Sequence, residues 1–102
     1  MATSKIASRN AAAEITLTVQ LWKEGSTHVA YAPELDISSC GNTAAQAKSH
    51  LREAVSLFIE EAARQGTLDE ILAETGFERV GKTYRPRPIL AREKMHLALP
   101  AA

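Results

Sequence analysis

A single cysteine, Cys40, leaves this 102-residue chain without an internal disulfide. No run approaches the roughly 18 apolar residues that a membrane span requires, so a membrane-spanning role is not expected. Net charge is also missing, with twelve Lys and Arg against twelve Asp and Glu. That balance excludes a uniformly basic nucleic-acid coat and an acidic disordered tail, though not a local patch. No glycine-rich phosphate loop and no serine elbow occur. A lone thiol and the lack of a secretory apolar region point to a reducing, cytoplasmic home. What remains is one domain's worth of chain, short enough that it buries only about 60–65% of its unfolded surface. Self-association or a partner subunit is therefore expected.

Residues 1–13 contain no acid and little apolar mass, and they are expected to form a flexible N-terminal arm. From Glu14 the pattern changes. Ile15, Leu17, Val19 and Leu21 alternate with Thr16, Thr18, Gln20 and Trp22, the period of a strand with one buried face. Glu24-Gly25-Ser26 supplies a turn and Thr27–Ala32 a second strand, stopped by Pro33. A plain two-residue turn would set Leu21 opposite His28 and Val19 opposite Ala30. A bulged turn with Gly25 left-handed would set Leu21 opposite Val29 and Val19 opposite Tyr31. The bulge groups the larger apolar residues and is the expected register. Residues 36–40 make a short third strand.

Thr43-Ala44-Ala45-Gln46 has the form of a capping box. The helix it opens carries Ala47, Leu51, Ala54, Val55, Phe58 and Ala62 at helical spacing, with Ser49, Glu53 and Glu60 opposite. Gly66 stands at its C-terminal end. Thr67-Leu68-Asp69-Glu70 repeats the capping-box form for a short second helix, closed by Gly76. Beyond Phe77 the chain turns basic and extended, because Pro86 and Pro88 forbid helix. Met95, Leu97 and Leu99 alternate with His96 and Ala98, the pattern of a late strand returning to the sheet. The fold class is thus α+β: a small antiparallel sheet of three to four strands packed by one main helix, in β-β-β-α order. The domain is expected over 14–78, with a basic, proline-containing extension over 79–102.

Charge is sorted along the chain. Residues 79–102 hold Arg79, Lys82, Arg85, Arg87, Arg92 and Lys94 against Glu93, a net +5. Residues 43–78 hold seven acids against Lys48, Arg52 and Arg64, a net −4. Acidic helices suit a basic partner, and the basic stretch could hold nucleic acid through Arg79, Lys82, Arg85 and Arg87. Tyr84 is that stretch's only aromatic, which argues against a base-stacking platform. His28, His50 and His96 have no second ligand at metal-binding spacing. Cys40 has no residue placed to activate it, so a small buried thiol is expected. No catalytic residue, cofactor or metal site is expected.

The order of a few short motifs nonetheless resembles a known family. Tyr31-Ala32-Pro33-Glu34-Leu35, then Gly41-Asn42-Thr43, then the alanine-rich amphipathic helix, are similar to the HicB-like antitoxins. Their pattern is an aromatic–x–Pro–acidic–Leu segment, a Gly–Asp–Thr turn and a helix. The resemblance covers Ile15 to Phe77, with Asn42 where the family often has aspartate. It implies a partial ribonuclease-H-like fold without nuclease activity. Two-metal cleavage needs clustered carboxylates, normally one in the first strand, and Ile15 to Leu21 contains none.

The resemblance also implies a function, namely binding and inhibiting a small, basic HicA-type toxin that cleaves messenger RNA. The expected contact residues are Leu57, outside the core stripe, with His50, Glu53, Glu60 and Glu61 around it. A homo-oligomer formed through a strand edge or the helix is expected as well. Met95 to Pro100 looks like the opening strand of a ribbon–helix–helix with no helix following, which fits a stand-alone member lacking an evident DNA-binding domain. The alternative functions are a nucleic-acid-binding module using the basic stretch, or an orphan homo-oligomeric interaction domain.

Overall fold

The computed structural model describes residues 13–101, so the arm expected over 1–13 lies, but for Ala13, outside the described residues. The elements run β1 (Glu14–Ile15), β2 (Gln20–Glu24), β3 (Thr27–Ala32), β4 (Ile37–Gly41), α1 (Ala44–Gln65), α2 (Leu68–Glu74), β5 (Phe77–Val80) and β6 (Thr83–Pro86). The fold is α+β. Six strands form two three-stranded sheets, ordered β2-β3-β4 and β1-β6-β5. The β2-β3-β4 sheet packed by α1 is the small antiparallel sheet expected, and the β5–β6 hairpin adds to a second sheet. The strands of that hairpin are only four residues long, β5 mostly exposed and β6 mostly half-buried, so they show no clean alternation. A domain boundary after residue 78 falls inside β5.

The segment expected as one strand from Ile15 to Leu21 is split in two. β1 runs parallel to β6, with Glu14 beside Thr83 and Ile15 beside Tyr84. The Thr16 amide donates to the Tyr84 carbonyl at 2.8 Å. In a parallel ladder the next rung would be an amide of residue 86 donating to the Thr16 carbonyl. Residue 86 is proline and has no amide hydrogen. The following donor on that side would come from residue 88, again proline. The ladder stops, and the chain bends over residues 16–19 before resuming as β2.

The β2–β3 register differs from both alternatives. Glu24 pairs with Thr27, Trp22 with Val29 and Leu21 with Ala30, so the turn residues are Gly25 and Ser26. Gly25 has φ 62° and Ser26 a negative φ, which places glycine at the first central position of a two-residue hairpin turn, as a type II′ turn requires. The bulge is therefore corrected to a tight turn, one residue later than the plain alternative. The faces change with it. Ala30 and Ala32, 0% and 1% exposed, point toward α1. Trp22, Val29 and Tyr31 share the opposite face, where the Trp22 and Tyr31 rings meet edge-on at 6.0 Å.

The choice of small residues has a packing reason. α1 lies across β3 and β4, and its Ala47, Leu51 and Val55 form the core with Ala30 and Ala32. Leu17, Leu35, Ile37 and Ile59 pack around them. At the start of α1 the approach is closest at Gly41, where an added Cβ would sit 2.8 Å from the Ala47 nitrogen and 3.0 Å from the Gln46 carbonyl carbon. The cap forms as the capping box implies, with the Thr43 hydroxyl accepting the Gln46 amide at 3.0 Å. The return bond goes one residue further back, from the Asn42 amide to Gln46 Oε1 at 2.6 Å.

α1 ends in a Schellman motif: Gly66 donates to the Ala63 carbonyl and Thr67 to the Ala62 carbonyl. That motif corrects the second capping box. Thr67 is held at φ −109°, ψ 1° and makes no side-chain cap bond, because it already completes the end of α1. Its hydroxyl turns to the Ala62 carbonyl instead. The late strand also does not form within this chain. Residues 87–101 lie in neither helix nor strand, and Leu90, Met95, Leu97 and Leu99 are exposed.

Gly41→Ala is expected to destabilise the fold by about 1–3 kcal/mol, since the obstructing atoms are backbone and one of the two elements must shift. Urea denaturation of the variant and the parent measures the difference directly. An unchanged midpoint would show that α1 does not depend on this close approach.

Candidate functional site

The residues that the sequence marks for partner binding lie along one flank and the outer face of α1. Leu57 is 66% exposed, and His50, Glu53, Glu60 and Glu61 are exposed around it. The spacing of 50, 53, 57, 60 and 61 follows the helical repeat, so the buried stripe that seats α1 on the sheet fixes where this second stripe points. The members are not equivalent. Glu61 accepts from Gln65 at 2.7 Å and pairs with Arg64 at 2.7 Å, so much of its charge is compensated on its own helix. His50 reaches back to β4, its Nδ1 lying 2.7 Å from the Cys40 carbonyl. A carbonyl only accepts, so the proton is on Nδ1 and Nε2 remains for other contacts. What α1 presents is an apolar side chain with an acidic collar formed chiefly by Glu53 and Glu60.

The basic residues form no comparable cluster. Arg79 lies over the Tyr84 ring at 5.5 Å and its Nε donates to the Gly81 carbonyl at 3.0 Å. Arg87 packs against Gly76. Lys82 and Arg85 are exposed. Two of the four cations therefore brace the β5–β6 hairpin and two face solvent.

The Tyr31–Leu35 motif acts within the fold. Glu34 receives the Thr18 amide on Oε1 at 3.1 Å and the Thr18 hydroxyl on Oε2 at 2.6 Å. The Thr18 amide, left without a ladder partner by the bend between β1 and β2, is thus satisfied by a carboxylate from the β3–β4 turn, which also accepts the Thr18 hydroxyl. The Tyr31 hydroxyl donates to Asp36 Oδ1 at 2.8 Å, across a turn in which Asp36 has φ 56°. Asp tolerates this left-handed conformation better than most residues. The sequence carried no sign of either interaction, because both depend on which turn residues meet in space.

Other chemistry is sparse. Cys40 is exposed, not the buried thiol expected, since it lies on the sheet face away from α1. His28 is half-buried, and its Nδ1 is enclosed without a hydrogen-bond partner. Among the described residues, no three His, Cys, Asp or Glu side chains are grouped to hold a metal. No helix among them is long and apolar enough to cross a membrane. An apolar cleft of about 90 Å³ opens between β1, β6 and the helices, lined by Ile15, Ile59, Leu68, Leu72 and Tyr84 among others. Comparison with family models, with curated proteins and with solved structures returned no match.

The bond to Asp36 raises the Tyr31 pKa above its ordinary 10.0, with burial and the Asp36 charge adding to it. The folded state then holds the phenol proton more tightly than the unfolded chain. Its contribution is complete below the unfolded tyrosine value and is lost as pH rises through the higher folded value. Asp36→Asn, which keeps the turn conformation accessible, is expected to bring Tyr31 ionisation to lower pH in an ultraviolet titration. Superimposable titrations of parent and variant would exclude the coupling.

Proposed function

We propose that the chain is a HicB-like antitoxin, a non-catalytic protein of the bacterial cytoplasm that binds and inhibits a small HicA-type RNA-cleaving toxin. The observation that carries this reading is the exposed Leu57 set among Glu53 and Glu60 on a helix held rigidly against the sheet. An apolar anchor supplies binding energy once desolvated. Acidic neighbours raise the encounter rate with a basic protein whose own cations serve RNA binding. Inhibition then needs no chemistry from this chain, only coverage of the toxin's catalytic group. The motif order from Tyr31 to Thr43 supports the same family, with its residues engaged in the turns and cap that orient α1.

The test is co-purification with a basic, toxin-like product of the neighbouring reading frame, followed by an RNA-cleavage assay on the purified pair. The parent chain is expected to suppress cleavage. Leu57→Asp, at a position that contributes little to the core, is expected to weaken inhibition at least about tenfold, the scale of a central interface residue. Cleavage that proceeds at full rate with the parent chain in excess would end the proposal.

A second reading, nucleic-acid binding through the basic stretch, rests on the solvent exposure of Lys82 and Arg85 together with Arg92 and Lys94. It requires affinity that falls steeply with salt. Arg85→Ala combined with Arg87→Ala should then lower binding to any duplex or single strand in an anisotropy titration. No binding at low salt, or the same binding by the double variant, removes this function.

A further inference from the structure

We propose that the outer face of the β2-β3-β4 sheet binds an arginine side chain of a basic partner protein, seated over Trp22 and Tyr31 between the carboxylates of Glu24 and Asp36. The site lies on the side of the sheet opposite α1, so it does not rest on the toxin contact assigned to Leu57.

The register brings these residues into line. Glu24 and Trp22 alternate with Lys23 on β2 and therefore share a face. Trp22 pairs with Val29 and Gln20 with Tyr31, so Trp22 and Tyr31 are diagonal neighbours on that face, within reach of aromatic side chains. Beyond Tyr31, the turn into β4 presents Asp36, whose Oδ1 accepts the Tyr31 hydroxyl at 2.8 Å. At the other end, Trp22 Nε1 donates to Glu24 Oε2 at 2.9 Å. The strip reads carboxylate, indole, phenol, carboxylate. The remaining residues that the register places on this face, Gln20, Thr27, Val29, Ser38 and Cys40, are uncharged. Its charge is wholly negative.

That arrangement selects a cation. The two rings meet at 6.0 Å and 66°, forming a corner and not a flat stack. Trp22 is 41% exposed and Tyr31 half-buried, so ring surface faces solvent. An aromatic face is negative and attracts a cation within about 6 Å of its centre, indole most strongly. Each ring donates its polar hydrogen to a carboxylate, which holds the ring in place and raises the electron density over it. One such bond leaves each carboxylate with further acceptor positions. A guanidinium lying on the indole can stack and donate sideways to Glu24 at once, a planar combination that an ammonium lacks. An apolar partner would desolvate both carboxylates without a counter-charge, which is costly. A second copy laid face to face would set carboxylates against carboxylates. A basic protein avoids both penalties.

Trp22 is the chain's single tryptophan, so its fluorescence reports on this site. The full chain is titrated at low salt with the capped tripeptide Arg-Ala-Arg, and a saturable change is expected. Lys-Ala-Lys should bind about threefold more weakly. Glu24→Gln combined with Asp36→Asn should weaken Arg-Ala-Arg about fivefold, and Tyr31→Leu about threefold. Glu53→Gln combined with Glu60→Gln, on α1, should leave the titration unchanged. Should Tyr31→Leu fail to fold by circular dichroism, the comparison of the two carboxylate pairs decides. No saturable change, equal binding of the lysine peptide, or sensitivity to the α1 pair in place of Glu24 and Asp36 would each overturn the proposal. So would binding seen only after removal of residues 1–12, or Trp22 emission that shifts with protein concentration alone, the sign of a second copy on this face.

Discussion

The carboxylate of Glu34 meeting Thr18 holds together the place where this molecule departs from a simple sheet. Pro86 ends the parallel ladder of β1 and β6, and the chain must bend before it can pair with β3. A bend strands backbone donors, and a buried or half-buried donor without a partner costs about 1–3 kcal/mol. One glutamate supplies acceptors for both the Thr18 amide and its hydroxyl. A charged acceptor makes each bond stronger than a neutral one would. That contact ties the β3–β4 turn to the bend.

The core built on this frame is small. Among the described residues no large side chain is completely buried, and three of the five central residues are alanines. Small residues permit α1 to lie close to β3 and β4, with Gly41 giving room at the first turn. Close approach constrains the position of α1 even though little apolar volume is enclosed, because a methyl group added at Gly41 meets the helix backbone. A precisely placed helix is what an interaction face needs. Residues between Tyr31 and Thr43 serve this placement: Glu34 at the bend, Tyr31 and Asp36 across the turn, Gly41 beneath the helix and Thr43 at its cap.

Charge is arranged in the complementary sense. α1 and α2 carry half of the twelve acids, and residues 79–102 carry half of the twelve bases. Local pairing reduces the effective charge of each group, since Glu61 is taken up by Arg64 and Arg79 by Tyr84 and Gly81. Glu53 and Glu60 are exposed acids beside Leu57, and Asp69, Glu70 and Glu74 are exposed on α2. Exposed single pairs such as Glu61 with Arg64 add little to stability. Their effect is to decide which charges remain available.

Much of the secondary structure was legible because it is encoded locally. α1 was readable from the stripe Ala47, Leu51, Val55 and Ala62, from Thr43 with Gln46, and from Gly66, since capping and helical periodicity involve residues within one or two turns. The outward direction of Leu57 followed from the same periodicity. The β5–β6 hairpin was not readable, because its four-residue strands are too short to alternate cleanly. The hairpin register was misjudged because volume matching favoured Val29 and Tyr31 inside, whereas the closeness of α1 requires Ala30 and Ala32 there. Thr67 was misassigned because its conformation belongs to the helix before it. By itself, then, the sequence determined the elements whose hydrogen bonds and caps close within a few residues, together with the division of charge between its halves. Only the tertiary structure decided the bend at Thr18 and the partner of Glu34, because both depend on segments far apart in the chain meeting across distances that no local periodicity records.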